Sequence, residues 1–191
     1  IKKSKQGQFQ IVDVVQLFDP ICKMTKQIVN GNTIPSIVRE AFRVSEEEKP
    51  GPVLLELPED IAAEKVELTD LIPPHERFYA VAGEQIIIKT AELIKSSKKP
   101  LILLGAGANR KEARRAISDF INQTKIPFCN TQMGKGSVDE SSDYFLGTAA
   151  LSDKDYLHDY ISAADLIINI GHDVVEKPPF FMEHGGASVI H

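Results

Sequence analysis

The sequence has only two cysteines, no long apolar run and no excess of basic residues, and each lack excludes a class of protein or site. Cys22 and Cys129 belong to no CxxC or Cys/His cluster, so a structural zinc site, which needs about four organised ligands, is not expected. The longest apolar runs, such as 100–105, are far below the roughly 20 residues that span a bilayer. Lys and Arg number 22 against 27 Asp and Glu, and the net charge of −5 offers no basic field for nucleic acid. We therefore expect a cytoplasmic protein that binds neither membrane nor nucleic acid.

What is present is the composition of a globular protein, with 42% hydrophobic and 26% charged residues. A length of 191 residues suggests one large domain or two smaller ones. The chain begins without Met and ends on a strand-like segment at 187–191. Both features lead us to expect a fragment of a longer protein.

The N-terminal third has the pattern of helix, strand, helix and strand. The spacing of apolar residues predicts a helix over 9–18, and a strand is expected over 22–29. Thr33 is a candidate cap for the next helix, in which Pro35 is tolerated in the first turn. The second strand is expected over 53–57, and the second helix should carry an apolar stripe formed by Ile34, Ile37, Val38, Ala41 and Phe42.

From Gly83 onward the pattern becomes a regular alternation of helices with strands of continuous apolar residues. Such strands, joined by helices, predict a parallel sheet covered on both faces. The expected strands are 100–104, 126–130, 165–170 and 188–191, and the expected helices are 84–96, one that presents residues 113–121, and one near 153–163.

Three of these strands end in polar or glycine-rich loops, at 105–109, 131–136 and 171–173. Because the carboxyl ends of parallel strands meet at one edge of a sheet, these loops predict a nucleotide-type crevice there. The motif at 105–107 lacks the third glycine of GxGxxG, so a plain strand-to-helix turn is the alternative. Lys135 could contact a phosphate, and His172 and Asp173 could hold a hydroxyl or act as an acid–base pair, although both are also ordinary loop residues.

Several motifs, in one order along the chain, resemble those of thiamine diphosphate enzymes of the acetolactate synthase group. Residues 49–61 (KPGPVLLELPEDI) are similar to the end of the family's pyrimidine-binding domain, which reads (R/K)PGPV, an apolar strand and P(E/K/Q)D. The segments at 9–15 and 20–23 resemble its FQ…D(I/V)V and P(V/I)(C/T)K motifs. Three further segments resemble the family's central domain. Residues 100–107 match its start, 131–136 match its Gly-Lys-Gly loop, and 164–171 match its AD-apolar-G strand.

The resemblance implies an α/β chain with the C-terminal part of the pyrimidine-binding domain (1–62), a linker (63–82) and a Rossmann-like, parallel-sheet central domain (83–191). It implies that the parent enzyme decarboxylates pyruvate on thiamine diphosphate with Mg²⁺ and transfers the two-carbon unit to a second 2-ketoacid, as in branched-chain amino acid biosynthesis. A homodimer or tetramer and a regulatory small subunit are further implications. The family's activating glutamate is expected before Ile1 and its GDG…N motif, which holds Mg²⁺ and the diphosphate, after His191. The fragment alone is therefore expected to be inactive and to hold no metal.

Site residues also follow from the resemblance. Phe9 and Gln10 match residues at the family's active-site entrance, and Lys23 matches a basic residue near the junction with the central domain. FAD is an allowed cofactor, since biosynthetic members bind it in the central domain. The cofactor-binding candidates there are Gly105, Ala106, Gly107, Met133, Gly134, Gly171, His172 and Asp173.

Two departures concern FAD. Biosynthetic members usually have Gly-Ala-Arg-Phe-Asp-Asp after the last-named strand, whereas residues 171–176 read GHDVVE. Where those members carry a flavin-contacting arginine, this chain has Asp19. The G-x-D-x-x-E pattern is more similar to the catabolic, FAD-independent branch, so the sequence leaves the flavin, and the choice between a catabolic and a biosynthetic role, open.

Two other functions stay open at this point. One is a non-catalytic nucleotide- or FAD-binding module, which the glycine-ended strands favour. The other is a related thiamine diphosphate enzyme that decarboxylates oxalyl-CoA or benzoylformate, which would share the architecture.

Overall fold

The structure is a computed structural model that describes residues 12–67, 71–73, 80–149, 156–173, 175–176 and 185–191. The chain divides into two compact units, residues 1–79 and 80–191. Among the helices within these described ranges, none has the length and apolar character needed to cross a membrane.

A two-stranded parallel sheet forms the centre of the first unit, with helix, strand, helix and strand in the predicted order and then a short helix that was not predicted. Strands β1 and β2 pair in parallel, with Met24 opposite Val53. Ile28, Ile37 and Ile61 form a buried cluster against this sheet. The elements are α1 (Val14–Phe18), β1 (Met24–Gln27), α2 (Ile34–Glu46), β2 (Val53–Glu56) and α3 (Glu59–Ala62).

The ends of the first two helices differ in detail from the prediction. Helix α1 begins at Val14, where the Asp13 carboxylate accepts a hydrogen bond from the Gln16 amide at 3.0 Å; residues 9–11 lie outside the described residues. Thr33 occupies the N-cap position of α2, as predicted, but its side chain makes no capping hydrogen bond. The Thr33 hydroxyl donates instead to the backbone carbonyl of Asn30 at 2.7 Å, because the backbone of Thr33 is already helical. Pro35 does lie in the first turn, as predicted.

The apolar stripe predicted on α2 is only partly buried. Ile37 and Ala41 are buried, whereas the Phe42 side chain is 63% exposed. A sheet of two strands is narrow, so within this unit it covers only the central row of the stripe.

A five-stranded parallel sheet forms the second unit, as the alternation of patterns predicted. Its elements are α4 (Glu84–Ser96), β3 (Pro100–Leu104), α5 (Lys111–Thr124), β4 (Phe128–Thr131), β5 (Phe145–Ala149), α6 (Tyr156–Ala163), β6 (Leu166–Ile170) and β7 (Ser188–Ile190). The spatial order of the strands is β5-β4-β3-β6-β7, and every neighbouring pair is parallel.

Helices cover both faces of this sheet, which confirms the prediction from the apolar strands. Ile102 and Leu104 of β3 pack with α5 and part of α4 on one face. Leu101 and Leu103 alternate to the other face and pack with α6. Burying a leucine or isoleucine side chain contributes about 1.5–3 kcal/mol, so these strands give the domain its stable centre.

Strand β5 was not predicted. Its sequence, FLGTA, contains Gly147 with a positive φ of 134°, and the register of its pairing with β4 shifts next to Phe128. A glycine and a register irregularity both interrupt the apolar pattern by which strands are recognised in a sequence.

The order of the strands defines where a ligand crevice would lie. The chain proceeds from β3 outward to β4 and β5, and then returns to the other side of β3 to form β6 and β7. The direction of winding therefore reverses between β3 and β6. In doubly wound sheets, ligands bind outside the carboxyl ends of the strands at this reversal.

At the opposite, amino end of the sheet, Asp165 fixes the turn between α4 and β3. Its carboxylate accepts hydrogen bonds from the Ser97 hydroxyl and from the amides of Lys98 and Lys99, at 2.8 Å and 3.0 Å for the two amides. The hydrogen bond from Ser97, and next that from the Lys98 amide, hold the pKa of Asp165 below its ordinary value. The start of β6 is thereby tied to the start of β3.

We expect the two cysteine thiols to differ strongly in reactivity. Cys129 lies in the core of the sheet with no exposed surface, and burial raises the pKa of its thiol to about 12, whereas Cys22 is only half-buried. A thiol reagent should therefore label Cys22 in the folded chain near neutral pH and Cys129 only after unfolding in denaturant. The Cys22→Ser variant should show no fast labelling and Cys129→Ser should retain it. Fast labelling of Cys129 in the folded chain would contradict the buried position of β4.

Candidate functional site

The three strand-end loops meet at one edge of the central sheet, as the sequence predicted. A Cβ atom on Gly107 would lie 2.9 Å from the Cα of Gly171. A Cβ atom on Gly134 would lie 2.0 Å from the carbonyl oxygen of Leu104 and 3.1 Å from that of Gly105. The loops that follow β3, β4 and β6 are therefore in direct contact.

The loops after β3 and β6 pack backbone against backbone. The amide of Gly105 donates to the carbonyl of Ile170 at 2.9 Å, and the amide of Gly107 donates to that of Gly171 at 2.8 Å. Gly171 has a φ of +66°, and a Cβ atom there would lie 2.6 Å from the Cα of Gly107. Glycine is needed at these positions because the backbones of the two loops touch. The sequence alone did not distinguish this reason from contact with a ligand.

One buried carboxylate joins all three loops. Glu176, which is 6% exposed, accepts hydrogen bonds from the amide of Ala106 at 3.0 and 3.2 Å and from the amide of Asp173 at 2.9 Å. It also accepts a hydrogen bond from the hydroxyl of Thr131. Burying a carboxylate is costly unless hydrogen bonds replace its water, and these donors supply that replacement.

Local turns hold both ends of this network in place. The backbone carbonyl of Asp173 accepts a hydrogen bond from the Glu176 amide at 2.9 Å. The side-chain carboxylate of Asp173 accepts one from the Val175 amide at 3.3 Å. At the other end, the Thr131 hydroxyl accepts a hydrogen bond from the amide of Gly134 at 3.0 Å. Thr131 thus links the turn of its own loop to Glu176.

A second connection runs from the β3 loop to the β4 loop through Asn109. Its side-chain amide donates to the carbonyl of Met133 at 2.7 Å and to that of Lys135 at 3.3 Å. The guanidinium of Arg114, on α5, donates to the Asn109 side-chain oxygen at 3.0 Å. Met133 is held by its backbone, and its side chain is 64% exposed.

Lys135, which the sequence suggested for a phosphate, forms an ion pair within its own loop. Its ammonium lies 3.0 Å from the carboxylate of Glu140, which also accepts hydrogen bonds from the Gly136 amide at 2.8 Å and from the Asn130 side chain at 3.0 Å. The hydrogen bond from Lys135 makes the largest contribution to holding the pKa of Glu140 below its ordinary value.

The remaining site candidates, Phe9, Gln10 and Lys23, belong to the first unit of the chain. Phe9 and Gln10 lie outside the described residues. The ammonium of Lys23 donates to the carbonyl of Glu47 at 2.8 Å, and Asp19 accepts a hydrogen bond from the Thr25 hydroxyl at 3.0 Å. The roles that the resemblance implies for Phe9, Gln10 and Lys23 stay predictions, as does an acid–base role for His172 and Asp173.

Sequence reasoning missed the structural roles of Glu176 and Asn109. Glu176 lies three residues after Asp173, and this D-x-x-E spacing carries the signal, because a turn that begins at an aspartate brings the fourth residue back towards the strand end. Within the described part of the chain, no three His, Cys, Asp and Glu side chains are grouped so as to hold a metal ion.

Comparison with known proteins connects this domain to one enzyme family. The family model described as thiamine pyrophosphate enzyme, central domain, matches residues 87–191. The acetolactate synthase large subunit of Pyropia yezoensis is 32% identical over 168 residues, which cover 85% of this chain and 28% of that protein. A probable acetolactate synthase large subunit of Methanococcus aeolicus is 31% identical over 169 residues, again 85% of this chain and 28% of the relative.

A relative with a different named activity matches a larger share of the chain. The glyoxylate carboligase of Escherichia coli O157:H7 is 26% identical over 187 residues, which cover 96% of this chain and 32% of that protein. The chain thus spans less than a third of the length of each of these relatives.

We predict that adding one methyl group at Gly134 destabilises the central domain. The Cβ atom of Gly134→Ala would lie 2.0 Å from the Leu104 carbonyl, so the backbone of one loop must move, at a cost of about 1–3 kcal/mol in the free energy of unfolding. Gly83→Ala is the matched control, because a Cβ atom there meets no atom within 4 Å. Urea unfolding of the two variants measures the difference. Equal midpoints would contradict the close contact of the β3 and β4 loops.

Proposed function

Because residues 87–191 match the central domain of thiamine pyrophosphate enzymes, the chain belongs to that family, and we propose that its full-length protein is an acetolactate synthase. In the proposed reaction, two pyruvate ions and one proton give one acetolactate ion and one carbon dioxide. The bond from the carboxylate to the carbonyl carbon of the first pyruvate breaks, and that carbon then bonds to the carbonyl carbon of the second. The reaction involves no net oxidation or reduction, so it needs no electron acceptor.

The observation that carries this proposal is the extent of the match to acetolactate synthase large subunits. Identity of 32% extends over 85% of the chain, and so reaches beyond the central domain into the first unit. The motifs at 49–61 and 20–23 lie in that first unit, where the first spans β2 and the start of α3 and the second directly precedes β1. A match of the central domain alone would support the family but not this activity within it.

Thiamine diphosphate would supply the carbanion-stabilising chemistry, and the protein would position the ketoacids around it. We propose that the groups that bind the cofactor and Mg²⁺ lie in parts of the full-length enzyme outside these 191 residues. Within this chain, Phe9, Gln10 and Lys23 would line the approach to the active site. The central domain would contribute a rigid support, since its strand-end loops are joined to one another by backbone hydrogen bonds and by Glu176.

The assembly and the compartment also belong to the proposal. We infer a homodimer or tetramer with pyruvate as substrate, a regulatory small subunit as an optional partner, and a role in branched-chain amino acid biosynthesis or in pyruvate catabolism. Both cysteines are free thiols, which is the usual state in a reducing cytoplasm.

The test is to incubate the full-length protein with pyruvate, thiamine diphosphate and Mg²⁺ and to measure both products. We expect carbon dioxide and acetolactate in equal amounts, with acetolactate determined as acetoin after acid treatment. The 191-residue chain alone should form neither. Carbon dioxide without acetolactate would indicate a decarboxylase, and no consumption of pyruvate would exclude the proposed substrate.

A glyoxylate carboligase activity is the second candidate, because the match to that relative covers 96% of the chain. Supplying glyoxylate in place of pyruvate, and then both together, distinguishes the two. A rate with glyoxylate alone that exceeds the rate with pyruvate alone would favour the second candidate.

A further inference from the structure

We propose that Glu176 is an internal anion that fills the phosphate position of the strand-end crevice, so that this domain does not bind a dinucleotide such as FAD. The inference rests on the proposed function and deepens it, because it states which cofactor that enzyme does without. It makes Glu176 a specificity-determining residue rather than a catalytic one.

Four backbone amides of the turn after β3 already have hydrogen-bond acceptors within the chain. In doubly wound sheets that bind dinucleotides, the pyrophosphate lies against the turn after the first strand and the start of the next helix. Here the amide of Ala106 in that turn donates to both oxygens of Glu176, at 3.0 and 3.2 Å. The amides of Gly105, Gly107 and Ala108 in the same turn donate to backbone carbonyls at 2.8–3.0 Å.

The space in which a phosphate would lie is also occupied by the chain itself. The loop after β6 lies so close to the turn that a Cβ atom on Gly105 would be 2.3 Å from the Cα of His172. A ligand phosphate at this position would have to displace either this loop or the Glu176 carboxylate. The glycines of the crevice thus have a structural reason, the contact between two loops, that requires no ligand.

The charge of the crevice also opposes a phosphate. Glu176 is buried at the point where winding reverses, and a second anion beside a buried carboxylate is repelled strongly because little water screens the pair. Two cations of the adjoining segments are engaged in contacts of their own: Lys135 pairs with Glu140 at 3.0 Å, and Arg114 of α5 donates to Asn109 at 3.0 Å.

Removing the Glu176 side chain should convert the crevice into an anion site. Without the carboxylate, the amides of Ala106 and Asp173 and the hydroxyl of Thr131 lose their acceptor. Three donors would then face a space of the size of a carboxylate, and an anion with oxygen acceptors could replace it.

The experiment uses the full-length protein and follows binding rather than activity. Wild-type protein is incubated with FAD at up to millimolar concentration and passed through a desalting column, and the retained flavin is measured by absorbance. We expect less than a tenth of an equivalent of flavin. In parallel, thermal unfolding is recorded with increasing inorganic pyrophosphate for wild type, Glu176→Ala and the control Glu92→Ala, which removes an exposed glutamate of α4.

The expected result is a melting temperature that rises with pyrophosphate in Glu176→Ala and stays constant in the other two proteins. If Glu176→Ala does not fold, Glu176→Ser, which keeps a hydroxyl in the buried position, is used instead. Stoichiometric flavin in the wild type, or equal stabilisation of wild type and a folded Glu176 variant by pyrophosphate, would overturn the inference.

The outcome is independent of the test of the proposed function. Acetolactate formation by a wild-type protein that retains FAD would leave the proposed function intact and overturn the role of Glu176. A flavin-free protein that forms no acetolactate from pyruvate would do the reverse.

Discussion

The central domain depends on a carboxylate that is buried where three loops meet. Glu176 accepts hydrogen bonds from the loops after β3, β4 and β6, through the amide of Ala106, the hydroxyl of Thr131 and the amide of Asp173. Hydrogen bonds to a charged group contribute about 1.5–3 kcal/mol each, which is enough to offset the several kcal/mol that burying the charge costs. The alternative, a water-filled crevice between glycine loops, would leave those donors free for a ligand.

This arrangement shows how the strand-end loops of a nucleotide-type topology can be held together by contacts within the chain. The strand order places the end of β3 at the reversal of winding, where the loops of a doubly wound sheet can surround a ligand. In this chain the same loops contact each other instead, with glycines at Gly107 and Gly171 that allow the backbones to meet. The fold therefore supplies the position of a site, and the side chains at that position decide what can bind there.

The sequence predicted the sheet, its covered faces and the meeting of the three loops, because continuous apolar strands and glycine-ended turns have strong and local causes. It did not predict β5, since Gly147 and a register shift interrupt the apolar pattern there. It left open whether the glycines serve a ligand or a tight turn, and it did not predict the contact between the loops or the pairing of Lys135 with Glu140. Both gaps have one reason: a contact between distant parts of the chain is set by tertiary structure, and the residue types on each side are the same for both outcomes.

The most direct measurement of the central claim is a double-mutant cycle between Thr131 and Glu176. The free energy of unfolding is determined in denaturant for wild type, Thr131→Val, Glu176→Ala and the double variant. If the hydroxyl donates to the buried carboxylate, the two changes should be coupled by at least about 1 kcal/mol. Effects that add to within about 0.3 kcal/mol would contradict the account, because they would show that the β4 loop and Glu176 do not interact.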